Sequence, residues 1–379
     1  MLRSRSVLSV FAILLIFSLL IGACTPVAPA PAASAPAAVA ETAPAEAPVA
    51  DMAPAAEMGG CPVAPLSPPE DVIVAYVPIM KFATMYVAAG RGLFEACGLN
   101  VTIERVASGT EAIAFLSEGK VDVGGIAIVT SLWNGWNQGL DIRVIAPGGL
   151  EPFVGSPTKI VARKALVDDG TITDIASLKG RIVASAGGPG SGGEYLLAKA
   201  LERGSLTIRD VEMVQLGNAD MPAAFENGSI DAGTLGSPYA DQVIDGGFGV
   251  AIAEDLTPGL MTVAFVGSGN FVSNRGPVAE RFVLALIEAA RLMQGDSYLD
   301  AENIAAYLAY VNSDEATLRA TLPVIYDPDM AIPVDGLADV ERVHRENGRT
   351  EYTEPIDLSN VVDTAFVDKA IEVLGPYTK

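Results

Sequence analysis

From Val72 onward, short apolar runs alternate with stretches whose apolar residues recur at helical spacing. Val72–Val77, Val101–Ile103, Val121–Gly124 and Ile142–Ala146 read as strands; Phe82–Gly90, Glu111–Ser117 and Thr130–Asn137 read as helices between them. This βαβα order predicts a parallel sheet covered on both faces. Gly98, Gly119 and Gly139 stand where those helices would stop.

A second unit repeats the pattern. Strand Ile182–Ala184 runs into glycine-rich Gly187–Gly193 and helix Glu194–Glu202; strand Val211–Leu216, helix Pro222–Glu226, strand Ile230–Ala232 and helix Pro238–Ile244 follow. The units also echo each other in letters: Ala114–Gly124 (AFLSEGKVDVG) against Ala223–Gly233 (AAFENGSIDAG), at a constant offset of 109 positions. Gly119, Asp122 and Gly124 match Gly228, Asp231 and Gly233, giving a helix stop, an acidic strand start and a closing glycine in each copy. Two related lobes are therefore expected. The extended runs Thr158–Arg163 and Thr262–Val266 flank the second unit and are expected to be its two crossing segments. Helices at Val278–Met293, Ala301–Tyr310, Glu315–Thr321, Leu337–Glu346 and Thr364–Leu374 are expected to buttress the first lobe.

Upstream of Val72 the pattern changes. Arg3 and Arg5 precede an apolar run from Val7 to Ile21, the form of a secretory signal and too short for a comfortable membrane span. It closes on Ile21-Gly22-Ala23-Cys24, which resembles the bacterial lipobox; that resemblance implies cleavage before Cys24 and lipid on its thiol. Thr25–Pro69 is mostly Ala, Pro, Val and scattered Glu without a hydrophobic period, so a disordered stalk is expected. The resulting division is a lipoprotein signal peptide at 1–23, a tether at 24–70, lobe 1 at 71–160 and 267–379, and lobe 2 at 161–266. The folded part, about 309 residues, exceeds what one core usually organises. Cys61 and Cys97 remain once Cys24 is lipidated; outside the cytoplasm they either pair or stay separate thiols, and the sequence leaves both open.

Charge then narrows the function. With 24 Lys+Arg against 46 Asp+Glu, the net charge of −22 repels phosphate backbones, so no nucleic-acid partner is expected. One His and three Cys rule out most zinc sites, and any Ser-His-Asp triad not built on His344.

Four motifs carry a family resemblance: Tyr86–Leu99 (YVAAGRGLFEACGL), Ser108–Ala112 (SGTEA), Gly119–Gly124 (GKVDVG) and Leu178–Val183 (LKGRIV). Together they resemble the extracytoplasmic solute-binding proteins of the nitrate, sulfonate, taurine and thiamine-pyrimidine importers, over roughly Val72 to Leu374. The resemblance implies a bilobal periplasmic-binding-protein-like α/β fold, two parallel-sheet lobes joined by two crossing segments. It also implies a hinge-closing receptor, not an enzyme, that hands a small solute to an ABC permease and its ATPase. The lipobox agrees with placement at the cell membrane, lipid-anchored on the extracytoplasmic face.

Ligands of open α/β sheets bind beyond the carboxyl ends of the strands, here Pro78–Phe82, Gly125–Ile128, Ser185–Gly193 and Gly236–Tyr239. The glycine-rich turn leads into a helix N-terminus, which suits an oxygen-bearing ligand; its plainer reading is a turn that lets the helix pack closely. In the family this turn lines the cleft, which makes Ser191, with Ser185, Gly192 and Gly193, the leading contacts. Phe82, Tyr86, Trp133, Trp136, Tyr195 and Tyr239 are rings available to sandwich a flat solute, with helix-face packing as the alternative for each. Ile126 and Lys81 complete the candidate set, Lys81 being the only basic residue of these segments. Gly236-Ser237-Pro238-Tyr239 lacks the acidic residue that family members often carry before this proline, which weighs against amine or taurine-like specificity. The expected ligand is accordingly a neutral ring-bearing nutrient, riboflavin or a pyrimidine vitamin precursor, with alkanesulfonate, taurine or nitrate as the alternative.

An enzyme is the competing class: Gly188, Gly190 and Gly193 also satisfy G-x-G-x-x-G with Asp210 as a ribose acid, and a pyrimidine-biosynthetic relative would share the fold. No cofactor is expected. His344, amid Arg342, Arg345 and Glu346, reads as a solvated surface residue; Asp327-Pro328-Asp329 and Asp168-Asp169-Gly170 read as acidic turns without EF-hand spacing.

Overall fold

The computed structural model describes residues 60–106, 109–321 and 324–378. The signal segment, Cys24 and the tether up to residue 59 lie outside the described residues.

Two five-stranded sheets organise the chain. The first contains β1 (Glu70–Tyr76), β2 (Leu99–Arg105), β3 (Val123–Ala127), β4 (Ile142–Pro147) and β10 (Val263–Ser268), in the order β2-β1-β3-β10-β4. The second contains β5 (Thr158–Arg163), β6 (Ile182–Ser185), β7 (Glu212–Gln215), β8 (Ala232–Gly236) and β9 (Gly249–Ala253), in the order β7-β6-β8-β5-β9. Helices α1 (Ala83–Gly90), α2 (Leu93–Ala96), α3 (Gly109–Ser117) and α4 (Thr130–Asn137) connect the strands of lobe 1. In lobe 2 the connections are α5 (Lys164–Asp168), α6 (Gly192–Arg203), α7 (Met221–Asn227) and α8 (Tyr239–Asp245). Then follow α9 (Gly269–Asn274), α10 (Gly276–Leu292), α11 (Ala301–Tyr310), α12 (Glu315–Ala320), α13 (Val334–Glu346) and α14 (Ala365–Leu374).

The two-lobed α/β architecture stands, with one correction: the sheets are mixed. β10 runs antiparallel to β3 and β4, and β5 antiparallel to β8 and β9. The runs expected to be crossings are thus inner strands of the two sheets, each next to an edge strand. The chain passes between lobes just outside them, at residues 148–157 and 254–262. These crossings lie side by side: Glu151 N–H donates to Leu260 O at 2.9 Å, and Gly259 N–H to Glu151 O at 3.0 Å.

The sequence echo marks a real structural repeat. β3 and α4 recur as β8 and α8 at the same offset of 109, and α1 and α6 begin at Ala83 and Gly192. Asp122 accepts the N–H of Ile73 on β1 at 3.0 Å and pairs with Arg275; Asp231 accepts the N–H of Ile182 on β6 at 3.1 Å and pairs with Arg163. In each lobe one carboxylate secures the start of the first strand. Gly119 and Gly228 both hold positive φ, 68° and 75°, at the preceding helix stop.

Lobe 1 is built on α10, whose residues Val278 to Ala290 are largely buried, against α1, α2 and α14. Cys61 and Cys97 form a disulfide with a Cα–Cα distance of 4.9 Å, and Leu66 N–H donates to Cys97 O at 3.1 Å. The last residues of the segment expected to be a tether are therefore joined to lobe 1. A second departure is α13: Leu337, Val340 and Val343 share a core with lobe 2 residues Tyr195, Leu197 and Leu201, so this helix packs on α6 rather than buttressing lobe 1. The chain returns to lobe 1 afterwards, where Val361 O accepts from Val144 N–H at 2.9 Å.

Candidate functional site

The carboxyl ends of the parallel strands in both lobes face the crossings, and there the lobes touch. Thr130, at the N-terminus of α4, donates its N–H to Gly190 O at 3.3 Å, with its hydroxyl at the same distance. A Cβ at Gly190 would lie 2.4 Å from that hydroxyl, so only glycine allows this approach. The predicted glycine turn consequently sits at the junction of the lobes, with the N-termini of α4 and α6 on either side.

Ser191 is the N-cap of α6: its Oγ accepts the N–H of Glu194 at 3.2 Å and is 2.7 Å from Gly188 O. Its hydroxyl shapes the turn. The N–H groups of Gly192 and Gly193, in the first helical turn, have no acceptor among the described residues. A Cβ on Gly192 would meet nothing within 4 Å, whereas one on Gly193 would lie 2.2 Å from Ala186 O. Ser185 and Thr234 are register partners on β6 and β8, both buried, and neither hydroxyl has a hydrogen-bond partner among the described residues. Thr234 was missed in the sequence; only its alignment with Ser185 across adjacent strands reveals it. Ser185 Oγ lies 3.0 Å from the Cβ position of Gly193, beneath the first turn of α6.

Lys81 is at the floor. Its Nζ pairs with Glu151 on the first crossing and donates to Thr262 Oγ1, at the end of the second, at 2.6 Å. Its charge is balanced by a buried carboxylate, and the residue clasps both crossings to lobe 1.

Most of the candidate aromatics are core. Phe82 is fully buried and packs edge-on to Phe265. Tyr86 is fully buried, stacks on Tyr310 and donates its hydroxyl to Ile79 O at 2.8 Å; burial pushes its phenol far above the ordinary value. Trp133 and Ile126 are fully buried, and Trp133 Nε1 has no partner among the described residues. Tyr195 donates to Asp339 Oδ2 at 2.8 Å, facing α13. Trp136 is buried as well and donates its Nε1–H to Ile142 O at 2.9 Å, so Tyr239 alone of the six remains half-exposed, at the start of α8.

His344 corrects the surface reading. It is wholly buried on α13 with both ring nitrogens unpartnered, 6.2 Å from the Tyr195 ring. Burial, assisted by Arg349, lowers its pKa to about 4. Among the described residues there is no cluster of three or more metal-ligating side chains, and no helix long and apolar enough to cross a membrane.

The NMT1-like family matches residues 66–310, two-thirds of the chain. This chain belongs to that family. A putative aliphatic sulfonates-binding protein of Escherichia coli K12 is 29% identical over 176 residues, 46% of this chain and 49% of its own length; the chain thus spans about half of that curated relative. The periplasmic nitrate-binding protein of Synechocystis has the same fold, with a TM-score of 0.59 at 16% identity over 80% of this chain and 89% of its own. A desulfurization enzyme shares it too, at 0.55 and 16% over 80% and 99%.

Proposed function

We propose that the protein is the solute-binding receptor of an ABC importer, and that its solute is a small oxyanion of the sulfonate or nitrate kind. The carrying observation is the first turn of α6: two unpartnered amides at a positive dipole end, above two unpartnered buried hydroxyls, where the lobes meet. Such donors favour an anionic acceptor over a neutral ring. The packing of Phe82, Tyr86, Trp133 and Tyr195 leaves few rings for a flavin sandwich, so the riboflavin expectation gives way to its alternative. The names of the sulfonate- and nitrate-binding relatives support the same class. With a net charge of −22 the protein offers no long-range steering for anions, so recognition depends on this local field.

The receptor is secreted and moored by lipid on Cys24, and it closes its lobes on the solute before presenting it to the permease. A desulfurization enzyme on this fold makes catalysis the competing reading. Against it, Cys61 and Cys97 are joined in a disulfide, and neither ring nitrogen of buried His344 has a hydrogen-bond partner among the described residues.

Thermal unfolding of the full chain with propane-1-sulfonate, nitrate or riboflavin tests this reading. Ligand at 100 times its dissociation constant stabilises by about 2.7 kcal/mol. The sulfonate or nitrate should raise the Tm and be recovered unchanged. A rise with riboflavin alone, or turnover of the ligand, would overturn the proposal.

A further inference from the structure

We infer that Arg349, outside the ligand turn and on the segment that follows α13, is a positioning residue for that turn, and that residues 349–351 latch the two lobes together. The inference rests on the reading of the α6 turn as the ligand contact.

The observation is a chain of hydrogen bonds that begins and ends on α4. Thr130 of α4 donates across the lobe junction to Gly190 O. The N–H of the same Gly190 donates to Glu194 Oε2 at 3.0 Å. Glu194 is completely buried, and Arg349 Nε meets both its oxygens, at 2.8 and 3.1 Å. Two residues on, Glu351 N–H donates to Asn134 Oδ1 at 2.9 Å and Glu351 Oε2 accepts from Gln138 at 2.7 Å; Asn134 is on α4 and Gln138 is its C-cap. A short stretch of chain thus holds the lobe 2 turn through Glu194 with one residue and the lobe 1 helix with another.

A buried carboxylate left without its cation is strongly disfavoured. Arg349 therefore determines whether Glu194 can keep its place against the Gly190 amide. Gly190 in turn sets where the free amides of Gly192 and Gly193 stand. The rest of the α13–α6 contact differs in kind. Arg342 pairs with Glu202, Glu346 and Asp339, and Lys199 pairs with Asp339, all away from the turn. Burial works against a charged Asp339, yet hydrogen bonds from Arg342, Tyr195 and Lys199 outweigh it and hold that carboxyl below its usual range. Those pairs dock the helix; Arg349 reaches the ligand turn.

Hydrogen exchange on the full chain, without added ligand, separates the two roles. Arg349→Gln should raise exchange about a hundredfold or more in the turn at 187–195 and in α4, because the buried Glu194 carboxylate is left without its cation. Arg342→Gln should raise it in α13 while leaving the turn unchanged. Adding Glu194→Gln to Arg349→Gln should restore most of the protection, because the unpaired buried charge is gone while an acceptor for Gly190 remains. Equal effects of the two arginine variants on the turn, no effect of Arg349→Gln, or no rescue by the double variant would each overturn the latch. The same proteins are then titrated with propane-1-sulfonate. Failure of the unaltered protein to bind this or nitrate counts against the oxyanion reading, while the exchange result decides the latch independently.

Discussion

The two lobes share one scheme and treat the same turn in opposite ways. After β1 the chain runs through apolar residues, and the N-terminus of α1 is shut: Phe82 fills the space beneath it, and the hydroxyl of buried Tyr326 bonds Met80 O and lies 3.4 Å from the N–H of Ala83. After β6 the equivalent stretch carries three glycines, Pro189 and Ser191, and in the first turn of α6 the N–H groups of Gly192 and Gly193 stay free while Ser191 Oγ accepts that of Glu194. Position 82 in lobe 1 corresponds to position 191 in lobe 2, so a phenylalanine plugs one turn where a serine caps the other. With the backbone plan held in common, side-chain volume decides which half offers donors to a solute.

The largest expected effect breaks the plugged side. Phe82→Ala should cost about 3–5 kcal/mol in denaturant unfolding, from lost burial and the cavity left behind. Its lobe 2 counterpart, Ser191→Ala, removes one N-cap and should cost only about 1 kcal/mol. Similar costs at the two sites would dissolve the asymmetry.

A pH titration between 4 and 7 should distinguish the lobes next. His344, at the lobe 2 interface of α13, has a pKa lowered to about 4 from 6.5, so the folded state takes up its proton later than the unfolded chain. Its contribution is fully present above pH 6.5 and is lost as pH falls toward 4, about 3 kcal/mol in all. Glu288, on α10 of lobe 1, is pushed up to about 7 by burial, against the pull of Arg291. Its contribution is present below pH 4.5 and is lost as pH rises through 7. Protection of α13 amides should therefore fall on acidification, and that of α10 amides as pH rises from 4.5 to 7. His344→Phe should abolish the first trend and leave the second.

Smaller still is a pair of glycine substitutions that sharpens the open side. Gly193→Ala brings a methyl into a backbone carbonyl and should cost about 1–3 kcal/mol together with solute binding. Gly192→Ala meets open space and should leave stability within about 0.5 kcal/mol.

Much of this comparison is legible in the sequence. The echo around Asp122 and Asp231 survives because both carboxylates do the same job at the same register. Several helices, Thr130–Asn137 and Ala301–Tyr310 among them, fall where the apolar spacing puts them. What the letters hide is partnership. β5 and β10 read as extended apolar runs, and nothing in a run says whether its neighbours are parallel. β9, with half-exposed residues and no strong alternation, leaves little signal. Rings that follow a strand look available to a solute until the helix is placed, and then Phe82 and Tyr86 face inward. For His344 a signal existed: Leu337, Val340 and Val343 form a helical stripe that carries the next position to the buried face, although its charged neighbours suggest solvent. Arg349 and Glu194 are far apart in sequence, so only the fold brings them together.

The amide resonances of Gly192 and Gly193 test the central claim most directly. On titration of the full chain with propane-1-sulfonate or nitrate, both should shift saturably, while those of Ala83 and Thr84 at the plugged turn stay in place. Saturable shifts at Ala83 and Thr84 with none at the glycines, or shifts produced by riboflavin and by neither anion, would contradict the account.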